Sequence, residues 1–140
     1  MKKVLITTDF SAQSRHTLEV VLNLLKETHE QCQIIILNTY LVKYSDPERL
    51  ISLNDELKIK SKTGLEIEKA AAVRLNTNQH VSIETTSHIG TLNNVIQYLI
   101  KRDGIDMVAM GKEDGNALEA VKLALKDHQS CSLLIAEATL

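Results

Sequence analysis

The sequence has no tryptophan, one phenylalanine and three tyrosines, so aromatic residues make up only 3% of its 140 positions. A stacking platform for single-stranded nucleic acid has almost nothing to build with, and any core must be aliphatic. A surplus of positive charge is missing too. Sixteen Lys and Arg stand against eighteen Asp and Glu, a net charge of -2, and the basic residues are scattered rather than gathered into a stripe. Binding to nucleic acid is not expected.

Long apolar runs are absent. Val4-Leu5-Ile6 follows Met1-Lys2-Lys3 and gives way at once to Thr7-Thr8-Asp9. That run is too brief for a signal peptide, and nothing later approaches the ~20 residues of a membrane span. A cytoplasmic protein with no membrane attachment is the expectation. The two cysteines, Cys32 and Cys131, lie far apart and beside apolar runs, where buried thiols are expected. The five histidines, His16, His29, His80, His88 and His128, show no ligand spacing with cysteine or carboxylate, so no metal site is expected. No serine sits between glycines as a strained nucleophile.

What is present is an ordinary globular balance, 44% hydrophobic and 24% charged, in a chain suited to a single domain over residues 1–140. Val4-Leu5-Ile6, Gln33 to Thr39 with its run Ile34-Ile35-Ile36-Leu37, Val81 with Ile83, Asp106 to Met110 and Leu133 to Ala136 read as five short strands. Between them the apolar period changes. Leu18, Val21, Leu22 and Leu25 share one helical face, as do Leu92, Val95, Ile96, Leu99 and Ile100. Ala117, Leu118, Val121, Ala124 and Leu125 mark a last helix. A longer helical region follows Pro47, with Leu50, Leu53 and Leu57 early and Ile67, Ala71 and Leu75 late. Gly64 lies between these halves and predicts a kink or break, because glycine costs a helix about 1 kcal/mol. Ser11 and Thr91 are the expected N-caps, and Gly104 the expected left-handed stop. Strand alternating with helix predicts an α/β fold, a parallel sheet with helices on both faces.

In such sheets ligands bind beyond the carboxyl ends of the strands, where strand order reverses. The positions to watch are Thr8-Asp9, Asn38-Thr39-Tyr40, Ser87-His88 and Gly111 to Asn116. Asp9 suits either a bond to a ribose or base, or the start of the following helix. The loop Gly111-Lys112-Glu113-Asp114-Gly115-Asn116 runs from strand into helix, where backbone N–H groups can hold phosphate. It matches neither standard phosphate-binding fingerprint, and its two acids oppose an anion. Lys/Glu runs such as Glu66 to Lys69 read as solvated helix faces.

The opening KVLITTDFS, the stretch GTLNNVIQYLIKRDGIDMVAMG and the ending AVKLALKDHQSCSLLIA together resemble the universal stress protein family over nearly the whole chain. The resemblance implies a Rossmann-like open parallel five-stranded sheet, of the universal stress protein and adenine nucleotide alpha hydrolase type. Nucleotide-binding members carry Gly-x-x-Gly after the fourth strand, a longer spacer, then Gly followed by Ser or Thr, and these hold the ATP phosphates. Asp9 and the strand end at Thr39 match the adenosine side. This sequence keeps Gly111, but its second glycine comes one residue late, at Gly115. The Gly-Ser pair falls on Glu119-Ala120. Glu119 is expected to bring negative charge to the mouth of the pocket.

The resemblance therefore implies a stress-response domain acting as a dimeric binding or interaction protein, with weak or no ATP binding and no firm cofactor. The alternative is an adenine-nucleotide sensor for ATP or AMP, with a modified pocket of Asp9, Thr39, Gly111, Gly115 and Asn116. Pairing of the last strand with its copy, over Leu133 to Leu140, is the implied homodimer contact. An enzyme of related architecture would need a base or nucleophile at the strand ends. Only Asp9 and His88 are available, and no catalytic residue is assigned.

Overall fold

The computed structural model describes residues 1–41 and 47–137, with side chains over 1–41 and 53–137. Strand and helix alternate in the order β1 (Lys2–Thr7), α1 (Ala12–Leu24), β2 (Cys32–Tyr40), α2 (Pro47–Leu75), β3 (Val81–Ile89), α3 (Leu92–Asp103), β4 (Met107–Gly111), α4 (Asn116–Leu125) and β5 (Ser132–Ala136). One turn of 3-10 helix, Lys112–Asp114, precedes α4. All strand pairings are parallel, in the order β3-β2-β1-β4-β5. The expected five-stranded Rossmann-like sheet is present.

The continuous apolar runs follow from burial on both faces. Successive side chains of a strand point to opposite sides, so Val4, Ile6, Ile34 and Ile36 enter one core with Leu18 and Val21 of α1 and Leu65 and Ala72 of α2. Leu5, Ile35, Leu37 and Val108 enter the other with Val95, Ile96 and Leu99 of α3 and Leu118 and Val121 of α4. A central strand buried twice has no room for polar alternation. β3, at the sheet edge, does alternate in its first half, with Val81 and Ile83 buried and Ser82 and Glu84 exposed.

Helix ends are set by local chemistry. The Ser11 hydroxyl accepts the backbone N–H of Ser14, so Ser11 caps α1 as expected. Thr91 occupies the N-cap of α3, but its side chain makes no capping bond. Gly104 ends α3 at φ 68 and donates its N–H to the Ile100 carbonyl.

Gly64 does not break α2, which runs unbroken from Pro47 to Leu75. The cost of glycine in a helix is offset by a tertiary contact. The Phe10 ring lies where a Cβ would stand, with Cζ 2.6 Å from that position. The inward face of α2 also differs from the expected one. Ser61, Leu65, Glu68 and Ala72 are buried, while Ile67 and Leu75 are exposed. Glu68 thus leaves the solvated run expected of Glu66 to Lys69. Its carboxylate is buried and accepts a bond from Arg15 Nε at 3.1 Å. Leu50 lies outside the described side chains.

Candidate functional site

The chain lays β2 and β3 to one side of β1 and then β4 and β5 to the other, so strand order reverses between β1 and β4. A cavity of about 290 Å³ opens there, at the carboxyl ends of the strands. Its floor is Thr7 at the end of β1 and Thr8 just after it, Leu37 to Thr39 on β2, and Met110 on β4. Asp9 forms one wall, with Gln13 and Ser14 of α1, and Glu113 and Asp114 form the other.

Asp9 organises the start of α1. Its Oδ1 accepts the Ser14 hydroxyl at 2.7 Å and the Ser11 backbone N–H at 3.0 Å. Partial burial pushes its carboxyl pKa up, yet the bonds from Ser11 and Ser14 outweigh this and the net shift is down. Asp9 therefore stays ionised beside the cavity. The next residue, Phe10, has φ 68, a left-handed conformation rare for a bulky side chain. The turn holds it there: Phe10 N–H donates to Thr8 Oγ1 at 3.0 Å.

Asn38, which the sequence marks only as a strand end, has a central place in the structure. Its amide nitrogen donates to the Thr8 carbonyl at 2.8 Å, and its Oδ1 accepts the Ser61 hydroxyl at 2.6 Å. Ser61 has one proton to give, so Ser87 donates in their 2.7 Å contact. This polar chain joins β1, β2, α2 and β3 beneath the cavity. The only sequence signal for it was a polar residue at the end of an apolar strand. Ser61 sits mid-helix and gave none.

Gly111 closes β4, and its N–H donates to Asp114 Oδ2 at 2.9 Å. The loop thus satisfies its own leading amide with its own carboxylate. Burial raises the Asp114 pKa; the Gly111 N–H opposes the rise, while the charges of Asp9 and Glu113 add to it. Gly115 follows at φ 58 and ψ -120, a conformation that needs glycine. Gly111, Gly115 and Asn116 form the rim loop and the start of α4 and are not among the lining residues, whereas Asp9 and Thr39 are. Glu119, expected at the mouth, is not a lining residue either. Its side chain is 69% exposed and meets Lys122 at 3.2 Å. The negative charge at the mouth comes from Glu113 and Asp114 instead.

His88 also lies off the cavity. Its Nε2 is 2.8 Å from Thr86 Oγ1 and its ring meets Tyr98 edge-on. Burial, then the nearby Arg102, lowers its pKa. Among the described residues, no group of three or more His, Cys, Asp or Glu side chains is placed to hold a metal ion. No helix among them is long and apolar enough to cross a membrane.

An open parallel α/β domain with a polar, acid-rimmed cleft at its switch point is the class these features define. The family model described as the universal stress protein family matches residues 1–129, and the chain belongs to that family. Among solved structures it is similar to a hypothetical protein whose biochemical function was assigned from its structure, at 19% identity and TM-score 0.75, covering 99% of this chain and 96% of that one. It is similar to the universal stress protein UspA of Lactobacillus plantarum, at 17% identity and TM-score 0.72, covering 96% of each. A universal stress protein family member from Arabidopsis thaliana, solved with AMP bound, is 18% identical with TM-score 0.70, covering 99% and 93%. At these identities the likeness is one of fold. Among curated proteins none matches the sequence.

Proposed function

We propose that this stress-response domain works as a dimeric binding or interaction protein whose cleft holds ATP weakly or not at all. The observation that carries the reading is the bond from Gly111 N–H to the Asp114 carboxylate. A phosphate approaching this loop must displace an anion already seated on the amide, and it meets Glu113 and Asp9 in the same cavity. Two like charges about 4 Å apart repel by ~1 kcal/mol in water and by about 4 kcal/mol at a partly buried site. A triphosphate meets that repulsion several times over.

A second reading, an adenine-nucleotide sensor, is favoured by one feature. The cavity lies at the low end of ligand-pocket volumes, roughly 300–1,000 Å³, and its floor is polar and uncharged at Thr7, Thr8, Asn38 and Thr39. That is a fit for a nucleoside or a monophosphate, and the Arabidopsis relative was solved with AMP. Titration calorimetry with ATP, ADP and AMP in the presence of Mg²⁺ separates the two. No sub-millimolar binding of any of them is expected. Sub-millimolar AMP alone establishes the sensor, and sub-millimolar ATP contradicts the leading reading.

The dimer belongs to the same proposal. β5 is an edge strand, with Leu133 and Leu134 half-buried and Ile135 38% exposed. An apolar edge of this kind invites pairing with its copy. Ala138 to Leu140, included in the expected contact, lie outside the described residues. A cytoplasmic location is part of the reading, and the free, buried thiols of Cys32 and Cys131 suit a reducing compartment.

A further inference from the structure

At the far end of the sheet from the cleft, the α1–β2 and α2–β3 connections enclose an open depression of about 620 Å³. His29 from the first connection and His80 from the second both line it, with ring centres 6.3 Å apart and ring planes at 75°. We propose that His29 and His80 form a binding site for one late first-row divalent transition-metal ion, such as Zn²⁺ or Cu²⁺, with water completing the coordination shell. The site is independent of the cleft and of what the cleft binds.

Imidazole is the side chain of choice for these ions, and two imidazoles with open water positions suit a labile surface site. With metal–nitrogen bonds of about 2.1 Å, two rings on one ion lie roughly 5 Å centre to centre. The ring centres, 6.3 Å apart, need to approach by only about 1 Å to reach that separation, and the exposed His29 side chain is free to turn towards an ion. The pair is not legible in the sequence, because the residues come together only through the parallel pairing of β2 with β3.

The two connections are already locked in place. The Asn78 amide nitrogen donates to the carbonyls of Leu25 and Thr28, both at 2.9 Å, and its Oδ1 accepts the His80 N–H at 2.9 Å. The Cys32 N–H donates to the His80 carbonyl at 3.0 Å. Little chain entropy remains to be lost when an ion bridges the loops. Gln31 Nε2 stands 3.2 Å from His80 Nδ1. A half-turn of that amide presents its oxygen to an Nδ1–H and leaves the Nε2 lone pair for the metal, the outer-shell support common to histidine ligands. Lys26 lines the same depression, and Glu27 beside it offsets the charge. Among the described residues no third His, Cys, Asp or Glu joins the pair, so binding is weaker than at a closed structural site.

The test is calorimetric titration of the full chain with ZnCl₂, paired with thermal unfolding with and without Zn²⁺. The wild type binds one equivalent and melts at higher temperature with the ion present, as any ligand of the native state requires. His29→Gln and His80→Gln each weaken binding by at least about tenfold and abolish the thermal shift, while His128→Gln changes neither. Unaltered melting of the variants without metal shows that they remain folded. Cu²⁺ electron paramagnetic resonance reports two nitrogen ligands in the wild type and fewer in either variant. Absence of Zn²⁺ binding by the wild type up to millimolar concentration, or wild-type affinity in both variants, overturns the proposal.

Discussion

Gly64 and Phe10 meet across the molecule, from the middle of α2 and the turn after β1. A Cβ on Gly64 would stand 2.6–2.8 Å from three atoms of the Phe10 ring. Alanine there gains about 1 kcal/mol of helix propensity but forces the ring from its seat. In a Phe10→Ala background the clash is gone, so Gly64→Ala should add about 1 kcal/mol of stability, a gain it should not deliver in the wild type. Urea unfolding of the four proteins of this cycle checks it. Equal effects in both backgrounds contradict it. The same contact explains why Gly64 was misleading in the sequence: the penalty it signals is real, and the ring that offsets it is distant along the chain.

Asp114 supplies a second test at this scale. Its folded-state pKa lies above the ordinary 3.8. Between those two pH values the folded protein holds more protons than the unfolded chain, so this group's contribution to stability falls as pH rises through that window. Asp9 acts the other way. Its folded value lies below 3.8, so its contribution is present above the ordinary value and is lost as pH falls through the folded one. Asp114→Asn keeps an oxygen for the Gly111 N–H and removes the charge. The variant should melt above the wild type at pH 7, with the difference shrinking as pH falls through the folded value towards 3.8 and constant below it. A lower melting temperature at pH 7 contradicts this.

At the scale of elements, β1, β2 and β4 were legible because strands buried on both faces leave unbroken apolar runs, and β5 carries a similar run at the sheet edge, where it is only partly buried. β3 was legible only in part. Its pairing with β2 runs on to Ile89, through the polar residues Glu84 to His88, which show no apolar alternation. α2 was legible as a helix but not as a face, since Ile67 points outward and Glu68 inward with Arg15. No period analysis signals a buried ion pair. For the edge strand β5, Ile135→Lys should convert a dimer to a monomer in sedimentation at micromolar concentration, with the circular dichroism spectrum unchanged. A wild type that sediments only as monomer, or a variant that remains a dimer, contradicts the proposed contact.

At the scale of the whole molecule, the location of the cleft follows from topology. Residues after β1, β2 and β4 converge because strand order reverses between β1 and β4, and this brings Asp9 and Thr39, from the first third of the sequence, to the same cavity as Glu113 and Asp114. The source of its negative charge was legible in part, in the two acids of the loop, Glu113 and Asp114; Glu119 was the residue misplaced. Glu119 falls on the outer side of α4 with Lys122, a consequence of the short 3-10 turn and the Gly115 bend that set the rotation of that helix. Glu113 and Asp114 face inward instead. The central claim is that their charge, with Asp114 seated on the Gly111 amide, keeps polyphosphate out. The direct measurement is the Mg²⁺–ATP affinity of the wild type beside that of the double variant Glu113→Gln, Asp114→Asn. The account predicts no sub-millimolar binding by the wild type and binding at least about tenfold tighter by the variant. Sub-millimolar ATP binding by the wild type, or no gain in the variant, would contradict it.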